Sequence, residues 1–287
     1  MPDSLTGDLR LRVDDRIAAW RVTPERTTET GSSVLVFGHR ADQAVVLKVI
    51  KRQRDEWLSG RVLQCFDGRG VVRLLEHEEG ALLLEWLKPG ESLVSMAVGG
   101  CDRQATELLA NVIRRMPDRD SPDGIPTVED LGRSFDRCPA RGGNRIPQTL
   151  RREAAQLYRE LCVSQRRPRL LHGDLHHANV LLDSVEGWVA VDPKGVFAEL
   201  EYEVGAALRN PLDAPHLFLR PETIGSRIRC FADQLHLNPD RMIAWTFAQA
   251  ILSAIWLVED GGDVGAGHPW IALAYAVRPM LKREFGT

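Results

Sequence analysis

Asp174, Asn179 and Asp192 are spaced as an apolar hairpin would need to be to bring three polar groups together. They lie in Leu170-Leu-His-Gly-Asp-Leu-His-His-Ala-Asn-Val-Leu-Leu182 and Trp188-Val-Ala-Val-Asp-Pro193. Residues 180–182 read as a strand, 183–187 as a turn and 188–191 as a second strand, with Asp192 at its exit. Phosphoryl transfer needs a carboxylate to orient an acceptor hydroxyl and take its proton, and hard oxygen ligands to hold Mg2+ on the phosphates. Asp174 fits the first role as catalytic base, and Asn179 and Asp192 fit the second as metal ligands. Asn179 follows Asp174 by the same gap as in the kinase catalytic-loop template. His172 and His176 are expected to brace the loop by hydrogen bonds, and Gly173, lacking a Cβ, to let the backbone pass close to Asp174. A zinc set is disfavoured, because His176 and His177 point apart in an extended loop and no cysteine lies near.

The phosphate donor needs a cation of its own. Lys48 alternates with apolar residues in Val45-Val-Leu-Lys-Val-Ile50, so that one strand face packs while the ammonium enters a cleft. Glu56 can pair with it and hold it in register. Ser32 and Ser33, in Thr30-Gly-Ser-Ser-Val34, stand where a glycine-rich phosphate loop would be. Glu85 to Leu87 offer backbone hydrogen bonds to adenine, with Leu87 packing on the base. The cofactors implied are ATP and Mg2+.

Two kinds of scaffold are needed to position these groups. Strand patterns at 34–37 and 44–50, a helical pattern over 52–66, and strands at 71–75 and 81–86 describe a small, mainly antiparallel α/β lobe. Lys88-Pro-Gly90 interrupts it, placing a hinge near 86–90. Helices then dominate, at about 102–116, 148–165, 222–237, 239–258 and 269–284. The proline-rich stretch 117–147 reads as irregular with one short helix near 128–137. The fold class is α+β, with a nucleotide lobe over 1–87 and a catalytic and acceptor lobe over 88–287.

The chain has 287 residues, 44% hydrophobic and 27% charged, and no run approaches the eighteen or so apolar residues of a membrane span. The segment MPDSLTGDLR has neither a basic nor an apolar signal region, so a cytoplasmic protein is expected. Cys65, Cys101, Cys138, Cys162 and Cys230 are odd in number and scattered, which suits neither a disulfide framework nor a zinc site. A net charge of −3 gives no general attraction for nucleic acid or an anionic membrane. The expected partner is a small acceptor, and the expected state a monomer or homodimer.

The sequence resembles the aminoglycoside phosphotransferase superfamily, and within it the aminoglycoside/hydroxyurea resistance kinases that include streptomycin 6-phosphotransferases. The resemblance rests on Val46-Leu-Lys-Val49, Asp55-Glu56, Asp67-Gly-Arg-Gly-Val-Val-Arg-Leu-Leu75, Leu82-Leu-Leu-Glu85, His172-Gly-Asp-Leu-His-His-Ala-Asn179, Val191-Asp-Pro-Lys-Gly195 and Leu208-Arg-Asn-Pro211. It implies a protein-kinase-like bilobal fold, ATP and Mg2+, Asp174 as base, and Asn179 with Asp192 as ligands. In such kinases the acceptor lies between the catalytic loop and the C-terminal helices. There the chain offers Glu199, Glu201, Glu203, Gln249, Trp256, Glu259 and Asp260, with Gln249, Trp256 and Asp260 on one helix face. An acidic wall with one aromatic suits a cationic amino- or guanidino-sugar. The expected reaction is transfer of the γ-phosphate of ATP to a hydroxyl of an aminoglycoside, aminocyclitol or amino sugar. The alternatives are a metabolite kinase acting on glucosamine, choline, homoserine or a fructosamine, and an inactive nucleotide-binding regulatory module.

Overall fold

The computed structural model describes residues 7–54, 56–137, 146–265 and 267–282. Asp55, Cys138 and Pro139 lie outside the described residues. The small lobe opens with helix α1 (Gly7–Ala19), followed by β1 (Thr23–Glu29), β2 (Ser33–Arg40), β3 (Gln43–Ile50), α2 (Ser59–Phe66), β4 (Leu74–Glu78) and β5 (Ala81–Glu85). The strands form one antiparallel sheet in the order β1-β2-β3-β5-β4. Period-two alternation decides its two faces. Val45, Leu47 and Val49 pack with Val34, Val36 and Leu83 beneath Leu9 and Val13 of α1. Lys48, between them, faces the other way, on the side where Leu82 and Leu84 join the main core with Val62, Leu63 and Phe66 of α2.

Three boundaries differ from the sequence reading. The helix expected over 52–66 begins only at Ser59. Upstream, the Trp57 carbonyl accepts the Gly80 amide at 3.1 Å, which ties Trp57 to the β4–β5 turn rather than to a helical ladder. The strand expected at 71–75 begins at Leu74, because Val72 donates to the Ala190 carbonyl at 2.8 Å and Ala190 donates to Gly70 at 2.9 Å. Those backbone groups serve the large lobe instead. The helix expected over 269–284 stops at Val277, where Pro279 leads into a short 3-10 turn, Arg278–Met280.

The large lobe continues with β6 (Pro89–Ser92), α3 (Leu93–Met96), α4 (Asp102–Arg115), α5 (Val128–Gly132), α6 (Ser134–Arg137), α7 (Gln148–Val163), β7 (Arg169–Leu171), β8 (Val180–Asp183), β9 (Gly187–Ala190) and β10 (Val196–Ala198). It closes with α8 (Leu200–Leu208), α9 (Pro215–Phe218), α10 (Pro221–Leu235), α11 (Pro239–Glu259) and α12 (Pro269–Val277). β6, β8 and β9 form one small antiparallel sheet, and β7 with β10 another. α11 starts at an Asn238 cap, whose side chain accepts from Asp240 and Arg241, with Pro239 at the first helical position. It is the only described helix long and apolar enough to cross a membrane, but 78% of that stretch is buried inside the molecule. Here it is the central post of the lobe, packed by α7, α8 and α12.

Candidate active site

The β8–β9 hairpin sets the first geometry. Val180 pairs with Ala190, and the Val191 amide donates to the Asn179 carbonyl at 2.9 Å, so Asn179 and Asp192 leave the ladder side by side. The Asn179 side-chain NH2 donates to the Asp174 carbonyl at 3.0 Å, which leaves Oδ1 as the free acceptor. Asp192 takes a left-handed backbone, φ 60°, which an aspartate tolerates better than most side chains and which lifts its carboxylate, 38% exposed, out of the core. A carboxylate and an amide oxygen from one hairpin are the hard, partial donor set that Mg2+ takes beside phosphate oxygens and water. The residues present fit that ion.

The loop carrying Asp174 is braced from below. Buried His172 accepts the Asp174 amide on Nδ1 at 3.3 Å and faces the Val191 carbonyl with Nε2 at 2.9 Å. Both contacts are satisfied by the neutral ring with its proton on Nε2, and burial pushes the imidazole down to about 4. The His172 carbonyl also accepts the Lys194 and Gly195 amides at 2.9 Å, so one histidine joins the loop to the segment after Asp192. His176 accepts the Ala178 amide at 3.3 Å. Gly173 has φ +83°, and a Cβ there would come within 3.3 Å of the Gly195 backbone. Glycine is what lets the two loops pass.

Lys48 reaches this hairpin from the small lobe. Its buried Nζ lies 2.6 Å from Glu56 Oε2 and 2.8 Å from Asp192 Oδ1. Burial alone would lower the ammonium's pKa, but Asp192 and Glu56 outweigh it and raise the group above its ordinary value. A second tie comes from α2, where the Ser59 hydroxyl donates to the Pro193 carbonyl at 2.6 Å. The expected phosphate loop is only partly available: the Ser33 hydroxyl is buried against Thr30 Oγ1 at 3.0 Å, while Ser32 is exposed. Glu85 turns its side chain to the Arg73 amide at 3.0 Å and gives its own amide to the Arg73 carbonyl at 3.1 Å, while the Trp86 amide donates to the Ala44 carbonyl at 3.2 Å. Any hydrogen bond from Glu85 to a base would therefore come from its carbonyl; Leu87 is buried nearby.

Two cations missed by the reading of individual residues stand on Asp174. Lys194 Nζ lies 3.3 Å from Oδ2 and Arg209 Nη2 lies 3.5 Å from Oδ1. Burial alone would raise the Asp174 carboxyl, but Lys194, His176, Arg209 and His172 hold it well below the usual carboxylate range. The signals were present in Asp192-Pro-Lys-Gly195 and Leu208-Arg-Asn-Pro211, each a basic residue within two positions of a proline.

Next to Asp174 opens a cleft of about 420 Å³, lined by Gly173, Lys194 and Arg209 at one end and by Trp256, Glu259 and Asp260 at the other. Trp256 Nε1 donates to Ser134 Oγ at 3.1 Å, and the same hydroxyl donates to Glu259 Oε2 at 3.2 Å. Asp260 pairs with Arg54, and Glu259 lies 4.0 Å from Arg137. The rest of the expected acidic wall is elsewhere. Glu199 is fully buried, holding Arg241 at 2.6 Å, Trp245 Nε1 at 2.5 Å and the Arg166 amide at 2.9 Å. Glu203 lies beneath the catalytic loop and accepts the Gly173 and Leu175 amides at 3.1 and 3.3 Å. Burial pushes its carboxyl up to about 7 against the pull of those amides. Glu201 accepts the Asn238 amide at 3.2 Å, capping the approach to α11. Gln249 is buried, donating to the Tyr202 carbonyl at 2.6 Å and accepting from Arg209 at 2.8 Å. Glu199, Glu203 and Gln249 are therefore supports, not wall.

Comparison with known proteins places this geometry among relatives. The family described as aminoglycoside/hydroxyurea antibiotic resistance kinase matches residues 19–261. A streptomycin 3''-kinase of Klebsiella pneumoniae is 30% identical, covering 92% of this chain and 98% of that protein. A streptomycin 6-kinase of Streptomyces glaucescens is 27% identical, covering 93% and 88%. Among solved structures, a thermostable mutant of aminoglycoside phosphotransferase APH(4)-Ia, in a ternary complex with ADP and hygromycin B, superposes with a TM-score of 0.66 at 15% identity. It covers 96% of this chain and 99% of that one.

Proposed function

The chain belongs to the aminoglycoside/hydroxyurea antibiotic resistance kinase family, and from that premise we propose that it transfers the γ-phosphate of ATP to a hydroxyl of a streptomycin-like aminoglycoside. It is an O-phosphotransferase of the protein-kinase-like fold. The observation that carries the acceptor side is the position of Asp174, on a loop shared by the Lys48–Asp192 pair and the cleft ending in Trp256, Glu259 and Asp260. Residues 1–87 would form the nucleotide lobe and 88–287 the catalytic and acceptor lobe.

In this reading Lys48, held by Glu56, neutralises phosphate charge, and Ser32 with the Glu85–Leu87 backbone places the nucleotide. A bound Mg2+ would supply further charge neutralisation, with Asn179 and Asp192 as its protein ligands. Asp174 orients the acceptor hydroxyl and takes its proton as the new oxygen–phosphorus bond forms and the bond from the γ-phosphorus to the ADP oxygen breaks, releasing ADP. A carboxylate held so strongly ionised suits alignment more than strong basicity, which matches a reaction dominated by positioning.

The test is an ADP-release screen with Mg2+ across streptomycin, other aminoglycosides, amino sugars, hydroxyurea and small alcohols, with Asp174→Ala as the blank. Turnover is expected for a streptomycin-type acceptor and not for the blank. A small metabolite phosphorylated far faster than any aminoglycoside would overturn the acceptor class.

A further inference from the structure

Charged side chains of both signs line the cleft along α11, with Arg54 and Arg137 beside the carboxylates at its end. Gln249, which holds Arg209, and Glu259 are ten residues apart on that helix, about 15 Å at 1.5 Å per residue. Lys194 and Arg209 line the end nearest Asp174, and Glu259 and Asp260 line the other.

At the near end both cations reach the same carboxylate, at 3.3 and 3.5 Å. Arg209 cannot swing away freely. Its Nη1 is bonded to Gln249 Oε1 at 2.8 Å, and the Gln249 NH2 is bonded to the Tyr202 carbonyl at 2.6 Å, which fixes which end of the amide faces the arginine. Gly205 gives that amide its room, since a Cβ there would fall 2.5 Å from Oε1. Gln249, Tyr202 and Gly205, on two helices, thus combine to hold the Arg209 guanidinium against Asp174.

A bare carboxylate facing a cleft that admits a polycation invites the wrong group. An ammonium or guanidinium pairs with it more strongly than a hydroxyl does, and the reacting position would be blocked by a tightly bound, unreactive pose. We propose that Lys194 and Arg209 form a cationic collar that keeps the acceptor's charged groups off Asp174 and reserves its oxygens for a hydroxyl, while Glu259 and Asp260 draw those charges to the far end. The far end already behaves this way toward the protein's own guanidinium groups, with Arg54 on Asp260 and Arg137 near Glu259. The inference rests on the aminoglycoside class proposed above. Lys194 and Arg209 act in it as specificity residues, through the pose they forbid.

The test uses Lys194→Gln and Arg209→Gln, with streptomycin affinity read by calorimetry, kcat by ADP release, and putrescine as a dication without hydroxyls. The collar requires that kcat fall at least about tenfold while streptomycin binds as tightly as before or more tightly, and that putrescine become a competitive inhibitor of the variants but not of the wild type. Lys194→Arg should restore both behaviours. Glu259→Gln with Asp260→Asn should act on KM instead. Arg209 is buried, so Lys194, 35% exposed, carries the test if Arg209→Gln fails to fold. Weaker streptomycin binding in step with lost kcat, with no new inhibition by putrescine, overturns the collar and leaves the proposed function standing if the wild type phosphorylates streptomycin. Wild-type turnover of neutral alcohols alone overturns both.

Discussion

Around Asp174, the side chains of His172, Glu203, Gln249 and Arg209 are held by buried partners, whereas at the end of α11 Asp260 is held by Arg54 in a pair just over half exposed on each side. The first kind of contact is costly to break, because a stranded buried polar group loses both its partner and water. The second is worth about 0.2–1 kcal/mol and is exchanged readily for another charge. Under the proposed function the contrast separates two tasks. Groups that move a phosphate must be in place before the substrate arrives, while groups that greet a cation gain by being able to trade partners.

The sharpest way to break that comparison is at its centre. Asp174→Asn keeps the size and removes the charge, so kcat should fall by about 10² to 10⁴, with some stability lost as well because Lys194 and Arg209 lose their carboxylate. Near-normal kcat in a folded variant would remove Asp174 from the reaction. Next in size is Glu199→Ala, which leaves Arg241 buried without its carboxylate and should cost about 3–5 kcal/mol in denaturant unfolding. A folded, stable variant with only a raised acceptor KM would return Glu199 to the acceptor wall.

The third prediction concerns pH. His172 is pushed down to about 4, and burial lowers His176 and His177 as well. Groups depressed in this way bind protons better in the unfolded chain, so their contribution is complete above about 6.5 and is lost as the pH falls, for His172 toward 4. Glu203, raised to about 7, has the opposite slope, with its contribution present below about 4.5 and lost as the pH rises through 7. A variant comparison separates the two. The stability advantage of wild type over His172→Gln should shrink by up to about 3 kcal/mol between pH 7.5 and 4.5. An advantage constant over that range would mean that His172 is not neutral in the folded protein. Asp174 stays ionised throughout, so acid loss of activity should follow loop stability. The smallest effect is expected for Arg54→Ala, at most about 1 kcal/mol of stability and sensitive to salt.

How much of this the sequence disclosed follows the same division. The hairpin, Lys48 and the Asp174–Asn179 gap were legible because period-two packing and a short polar loop are local facts. α1 and β1 escaped, since α1 buries only Leu9 and Val13 and β1, TPERTTE, has no buried residue. α8 and α9 were also missed. Glu199, Glu203 and Gln249 were misread for a different reason. Nothing in 199–203 says that a carboxylate will meet Arg241 or the Gly173 amide, because burial of a charge is decided by partners distant in the chain. Trp256, Glu259 and Asp260 do line one cleft, since spacings of three and four residues keep them on one side of the end of α11, whereas Gln249, expected on the same face as Trp256 and Asp260, is buried as a support.

The left-handed backbone of Asp192 has an evolutionary consequence. Asparagine and glycine are the other residues that sit comfortably at φ 60°, and each is a single base change away from an aspartate codon. Either would spare the turn, the β8–β9 hairpin and the hydrogen bond from Ser59 to Pro193, while removing the charge that faces Lys48. With the role proposed for Asp192, one point mutation would therefore silence this protein while sparing its turn, leaving a persistent, inert scaffold on which selection can act anew.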